Sequence, residues 1–500
     1  MWSFLAPWRK RKQSAEQWSL DDILWSWSRR DHHYLADSFT GIACLGATGS
    51  GKSSGPSQHI AAAHLRNGFG GVFGAAKPDD LQMQLEWCRR AGRENDVVIF
   101  GPDHDIQYNF LDEEVRRSGP GRGQTENIVK MLLNVSEIRG RESGKNGGGG
   151  ENAEYFANAK SENLRANIDA LSMAGERVSV PSIYKMIMTA PNSMEEMRDP
   201  AWRKESYCWT TLMAASKRET NPERLLDLDN AATYLLNAYP RLNDRTRTNI
   251  TSSITGTIDL LNRGALRRLF SGGTNFRPAD IAAGKILLFD MSVKEWGETG
   301  AIAQVIFKYA FQRDIERRNL KENPRPVFLH VDEFQLLTTS HDSEFATTCR
   351  SSRVSFVILT QSLPTVWSAL GGGDKAKSDV SSLLGNMNLK IFCANSEIET
   401  NRWAAETIGK KRQYLIQASR SGISPYARFT DAGTVAPAQM SASVSEHIDF
   451  QVQNSDFAML KMGGARNDYC VDAIIYRTGQ PFHATKRNWM KTTFHQNAKR

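Results

Sequence analysis

The 500-residue chain is predicted to fold as an α/β protein, a doubly wound core interrupted by an all-α insertion. Three observations predict it. A glycine-rich loop at 46–53 follows one short apolar run and precedes a helical stretch. Short, strongly apolar runs then alternate with helical patterns, as in sheets covered on both faces. A long middle stretch carries helical periodicity and no strand pattern at all.

The loop is Gly46-Ala47-Thr48-Gly49-Ser50-Gly51-Lys52-Ser53, with Ser54 after it. It reads G-x-x-x-x-G-K-S, the pattern of a phosphate-binding loop. Its glycines let successive backbone N–H groups turn inward, Lys52 reaches the β/γ-phosphates of a nucleotide, and the Ser53 hydroxyl holds Mg²⁺. Gly41 to Leu45 supplies the strand before it, and Ala61 to Leu65 lies in the helix after it. Gly55-Pro56 falls in the first turns of that helix and should bend or delay it. Further buried strands are expected at Gly71–Ala75 and Val97–Phe100, with a helix from Asp79 to Arg90 between them.

The core then breaks off. Gly140 to Gly150, four consecutive glycines included, reads as loop, and Glu151 opens a helix with Phe156, Leu164, Ile168 and Leu171 on one stripe. From 176 to 246 the chain is helical, polar and punctuated by prolines, which predicts an inserted all-α domain. The core is assigned to 41–175 and 247–500. Strands resume at Lys285–Asp290, Pro326–Val331, Val354–Leu359, Leu389–Phe392 and Val471–Tyr476, whereas 411–445 reads as an irregular loop.

Residues 1–40 carry five tryptophans and no clear strand; a short helix is expected at Ser19–Leu24, and His32-His33 reads as a surface pair. Met1 to Lys12 has the composition of a basic arm. No window holds 18 consecutive apolar residues, so no membrane-spanning helix is expected. Six scattered cysteines, with no C-x-x-C pair, argue for a reducing compartment and against a zinc site or disulfide framework. The net charge of +8 is compatible with a polyanionic partner.

The second half of the nucleotide site is Val327-Phe328-Leu329-His330-Val331-Asp332-Glu333, an apolar strand ending in two carboxylates. Beside a phosphate loop, Asp332 would hold the Mg²⁺ shell and Glu333 would polarise the attacking water. Roughly 280 residues separate Lys52 from Asp332, far more than one compact core needs, and the surplus matches the helical insertion. Gln361, after the strand ending at Thr360, is placed to sense a γ-phosphate. Arg350, rather than Arg353, is the candidate to reach a neighbouring subunit's nucleotide and offset transition-state charge.

In this order the motifs resemble those of conjugative coupling ATPases of type IV secretion, the TraG/TraD type within the FtsK–HerA superfamily. Lys77-Pro78-Asp79-Asp80-Leu81, Gly101-Pro102 with Tyr108 to Asp112, Tyr155 to Ala159, Gln361-Ser362-Leu363 and Glu399 to Ala404 resemble further family signatures. The resemblance runs from about Gly41 to Lys486. It implies a RecA-like ATPase core using Lys52, Ser53, Asp332, Glu333, Arg350 and Gln361, with ATP and Mg²⁺ as cofactors. It also implies a homo-hexameric ring with DNA in its channel, and a relaxase, adaptor or secretion-channel protein as partner. Two departures stand out: Ala75 replaces an acid two residues before Lys77, and the usual pair of N-terminal transmembrane helices is absent. A cytoplasmic chain, brought to the inner membrane by a partner, is therefore expected. The alternatives are a HerA-like DNA-processing or defence ATPase working with a nuclease, and a protein-cargo receptor for a secretion channel.

Overall fold

A computed structural model describes residues 18–119, 125–142, 151–420 and 440–496. The strands, in chain order, are β1 (Ile23–Ser26), β2 (His32–Tyr34), β3 (Ile42–Leu45), β4 (Gly70–Phe73) and β5 (Val97–Phe100). After a long helical interval come β6 (Ile286–Phe289), β7 (Val327–Val331), β8 (Val354–Thr360) and β9 (Leu389–Phe392). The chain ends with β10 (Lys410–Arg420), β11 (Met440–Phe450), β12 (Cys470–Arg477) and β13 (Trp489–His495).

Nine strands form one sheet in the order β13-β12-β9-β3-β8-β7-β4-β6-β5. From β9 to β5 all neighbours run parallel. Strands β12 and β13 extend the β9 edge antiparallel. The predicted α/β class is therefore observed, and every core strand read from an apolar run is present. Successive side chains point to opposite faces, and both faces are dry. On β3, Ile42 and Cys44 join the core that contains Trp25, Ile60, Phe73 and Phe328, while Ala43 and Leu45 join the opposite, larger core.

Between β5 and β6 every regular element among the described residues is helical. The two longest there, Thr125–Glu142 and Glu151–Ala174, carry buried Ile128, Leu132, Leu164, Ile168 and Leu171 at helical spacing, so one apolar stripe per helix closes the packing. Part of the expected loop at 140–150 is helix, up to Glu142, and 143–150 lie outside the described residues.

Two local expectations fail. The segment after Ser19 is not a helix: Ile23 to Ser26 pairs with β2 as a short hairpin. Trp25 on that strand and Trp27 just after it are buried, and Trp25 stacks on His33 with centroids 3.8 Å apart. His33 is thus a core residue and not half of a surface pair, because Trp25 covers its ring and Ser38 Oγ lies 3.0 Å from its Nε2. Tertiary burial has overridden the capping signal at Ser19. The segment 411–445 is likewise not all loop: β10 and β11 form an antiparallel ribbon from Lys410↔Phe450 to Arg420↔Met440. The partner strand opens Met-Ser-Ala-Ser-Val-Ser, and these small residues hid the pairing. Met1 to Lys12 lie outside the described residues, as do 421–439.

Candidate functional site

Parallel strands deliver their C-terminal ends to one edge of the sheet, and in a doubly wound fold that edge is where ligands bind. Here β3 ends in the glycine loop, β4 leads to Lys77, β7 to Asp332-Glu333 and β8 to Gln361. Because β8 lies between β3 and β7, Gln361 sits between the two halves of the site.

The loop is built on conformational permission. Gly49 and Gly51 adopt φ of +75° and +82°, a region that side chains resist. A Cβ on Gly51 would also lie 2.4 Å from Val471 Cγ2, so no larger residue fits. Lys52 is buried and donates to the carbonyls of Gly46 (2.5 Å) and Ala47 (3.0 Å). The helix that follows starts with a wide turn over Ser53–Ser57 before the α-helix Gln58–Arg66. Pro56 explains it. Pro56 has no N–H to give Lys52 O four residues back, and Ser57 N takes that carbonyl instead at 3.0 Å. The predicted delay of the helix is seen. Ser57 Oγ is in turn 2.8 Å from His330 Nε2 on β7, which ties the helix start to the acidic strand.

The acidic pair stands where the sequence placed it. Ser53 Oγ donates to Asp332 Oδ2 at 2.5 Å, joining two strands that are not neighbours. Asp332 Oδ1 accepts the Glu333 N–H at 2.8 Å. Glu333 is buried and left-handed, with φ +47° and ψ +50°. A non-glycine residue held there costs of order 1–3 kcal/mol, a cost found mostly where function demands the geometry. Three side chains hold its carboxylate: Gln335 Nε2 (2.8 Å) and Gln361 Nε2 (3.0 Å) on Oε2, and Lys77 Nζ (3.3 Å) on Oε1. Burial pushes the Glu333 carboxyl upward, but these two hydrogen bonds and the Lys77 charge outweigh it and leave the group below its ordinary value. Lys77 loses some stability for its charge to burial, yet the carboxylates of Asp332 and Glu333 raise it overall. Asp80 accepts the N–H groups of Ala76 and Lys77, both at 2.8 Å, and fixes the turn that aims the lysine.

Arg350 is not part of this cluster. It is exposed and precedes β8, whereas Gln361 follows it, so the seven-residue strand puts roughly 20 Å between Arg350 and its own chain's site. Arg353 is engaged elsewhere, donating to Pro324 O at 3.1 Å. Lys77 and Gln335 are the site residues that the sequence reading gave no role. Lys77 had a signal, since it opens the Lys-Pro-Asp-Asp turn after a strand in the same sheet; Gln335 had none.

A paired hydroxyl and carboxylate, a buried ammonium and a loop with no room for a Cβ at Gly46 or Gly51 fit a magnesium–nucleotide complex by donor type and by shape. Residues 326–443, which include the acidic strand, Arg350 and Gln361, match the family model described as the TraM recognition site of TraD and TraG. The chain superposes on the bacterial conjugative coupling protein TrwBdeltaN70 with a TM-score of 0.55, covering 97% of this chain and 91% of that one at 14% identity. The fold is that of the conjugative coupling protein TrwB. Both the motif resemblance and the RecA-like core with a helical domain hold. TrwB in complex with the GTP analogue GDPNP (TM-score 0.54, 14% identity, 97% and 92% coverage) matches equally well. So does TrwB with ADP and Mg²⁺ (0.55, 13%, 97% and 90%). No curated protein sequence matches the chain. Among the described residues no helix is long and apolar enough to cross a membrane.

Proposed function

We propose that this chain is an ATP-driven DNA translocase of the conjugative coupling type, working as a homo-hexameric ring at the cytoplasmic face of a type IV secretion system. The observation that carries the reading is the contact of Ser53 with Asp332 beside a strained Glu333 held by three side chains. In this reading the loop from Gly46 to Ser54 cradles the phosphates. Lys52 exchanges the Gly46 and Ala47 carbonyls for β/γ-phosphate oxygens. Ser53 and Asp332 hold Mg²⁺, which supplies charge neutralisation across the phosphates when bound. Glu333, ionised near neutral pH, orients and polarises the attacking water. Gln361 and Lys77 keep its carboxylate aimed, and Gln361 couples its position to the γ-phosphate.

Arg350 acts on the nucleotide of the next subunit, which suits an exposed guanidinium far from its own site. The match of 326–443 to a recognition site for an accessory protein supports a relaxase, adaptor or channel protein as partner, which also brings the chain to the membrane. The 176–246 segment forms the all-α domain that meets cargo or adaptor. DNA is gripped through its phosphates, so binding weakens steeply with salt and ignores sequence. The test is steady-state ATP hydrolysis with and without DNA at two salt concentrations. Several-fold stimulation that vanishes at high salt, and no turnover in Lys52→Ala or Glu333→Gln, supports the reading. Hydrolysis indifferent to DNA points instead to a protein-cargo receptor, and full activity in Lys52→Ala refutes the site.

A further inference from the structure

The glycine loop is roofed by the last strands of the chain, and that roof has a built connection to it. The segment between β11 and β12 brings Met462 O to 3.1 Å from where a Gly51 Cβ would stand, and Val471 of β12 packs on Gly51 and Gly55. Gln496, just past β13, joins the two. Its Oε1 accepts the Gly464 N–H at 2.7 Å and its Nε2 donates to Ser54 Oγ at 2.5 Å. Its own N–H is held by Tyr469 O at 2.8 Å. Gly463, at φ +83°, lies flat on this amide: a Cβ there would meet Gln496 Oε1 at 2.5 Å. The Gly463-Gly464 turn is therefore shaped to receive Gln496.

The polarity of the link follows from the donors. A backbone N–H can only donate, so the amide oxygen must face Gly464 and the amide nitrogen must face Ser54. Ser54 Oγ must then accept from Gln496. Its single proton is left to donate elsewhere, and no hydrogen bond uses it among the described residues. Ser54 follows the Lys52-Ser53 pair at the start of the helix, where N–H and O–H groups converge on a bound anion.

We propose that Gln496 is a positioning residue for nucleotide affinity: it turns the Ser54 hydroxyl so that its proton is donated to a phosphate oxygen. This rests on the phosphate-loop assignment above. It also makes the C-terminal strands, distant in sequence, part of the nucleotide site.

The experiment compares ATP hydrolysis and ATP binding in full-length wild type, Ser54→Ala, Gln496→Ala, their double variant and Gln496→Glu. Gln496→Ala and Ser54→Ala should each raise KM and Kd for ATP about tenfold, the scale of one hydrogen bond to a charged group, with kcat within about twofold. The double variant should be no worse than Ser54→Ala alone. Gln496→Glu decides between positioning and packing. Glutamate fills the same space, so a packing role predicts behaviour close to wild type. A carboxylate instead accepts the Ser54 proton and takes it from the phosphate, so positioning predicts a loss at least as large as that of Gln496→Ala. This order can be read below the melting point of the least stable variant. Wild-type KM in Gln496→Glu, additive losses in the double variant, or a fall in kcat at constant KM would each overturn the proposal. Wild type that neither binds nor hydrolyses ATP would fail the nucleotide-site reading itself, a different result from wild-type binding retained in Gln496→Ala.

Discussion

Three histidines are sealed in the aromatic core on one face of the sheet, and they should make the protein acid-labile. His33, His64 and His330 are each at most 2% exposed. His64 stacks on Phe69 at 4.7 Å and on Phe328 at 5.7 Å, and neither of its ring nitrogens has a hydrogen-bond partner. Burial holds all three rings neutral: His330 is pushed down to about 3, and His33 and His64 fall well below the ordinary value. The sign follows. The unfolded chain takes up protons below about pH 6.5 and the folded chain does not, so stability falls as pH drops from there toward the folded values. Each histidine contributes about 1.4 kcal/mol per pH unit once the unfolded form is protonated, hence about 4 kcal/mol per unit for three. Against a typical total of about 5–15 kcal/mol, this consumes the margin within about one to four units. Urea midpoints at pH 7.5, 6.0 and 5.0 would measure it. His64→Phe, which keeps a ring in the stack and removes both unpartnered nitrogens, should lower the slope by about a third and hold or raise stability at pH 7.5. A midpoint flat from pH 7 to 5, or an unchanged slope in His64→Phe, would refute the reasoning.

Two further outcomes are expected. Lys308 Nζ contacts Asp342 Oδ2 at 2.5 Å and Leu337 O at 2.8 Å, with side chains only 4% and 1% exposed, and this pair anchors the loop that leaves Glu333. Asp342 also accepts from Gln312 Nε2 at 2.8 Å and from the Thr339 N–H at 2.7 Å, so Lys308→Met removes its balancing charge but not its hydrogen bonds. It should cost about 3–5 kcal/mol by urea unfolding, and Lys308→Met/Asp342→Leu should recover little of that because it leaves both donors unpaired. Arg350→Ala should lose turnover while still binding ATP. Mixing it with Lys52→Ala subunits should restore hydrolysis, because intact sites then meet intact arginines; no recovery at any mixing ratio would exclude donation in trans.

How far the sequence could be read depended on where the signal was local. A buried parallel strand is a short apolar run, and each one from β3 to β9, together with β12, announced itself. The glycine loop did so too, because its pattern sets Gly46, Gly49, Gly51 and Lys52 within one short stretch. Asp332 and Glu333 followed from a strand ending in two charges. The hairpin β1–β2 did not show, since tryptophans next to a serine cap suit a helix start as well as a strand, and only the sheet beneath them decides. The β10–β11 ribbon failed for a related reason. Its second strand does alternate, with Met440, Ala442, Val444, Ile448 and Phe450 at every second position, but small residues and Glu446 dilute the pattern, and its pairing is set by a partner some thirty residues away, beyond the reach of local propensity.

The site itself divides along the same line. Each residue that would touch phosphate or metal is fixed by chemistry that a short motif must carry, so it can be found in one dimension. The residues that aim those groups come from wherever the sheet order happens to bring a side chain close. Lys77 reaches Glu333 because β4 neighbours β7, and Gln361 because β8 separates β3 from β7. Gln496 reaches Ser54 because β12 and β13 fold back antiparallel along the β9 edge, beside the strand that carries the loop. A glutamine or lysine serves equally well on a solvated surface, so composition assigns it nothing. Only its distance to a reacting group does, and that distance is a property of strand order.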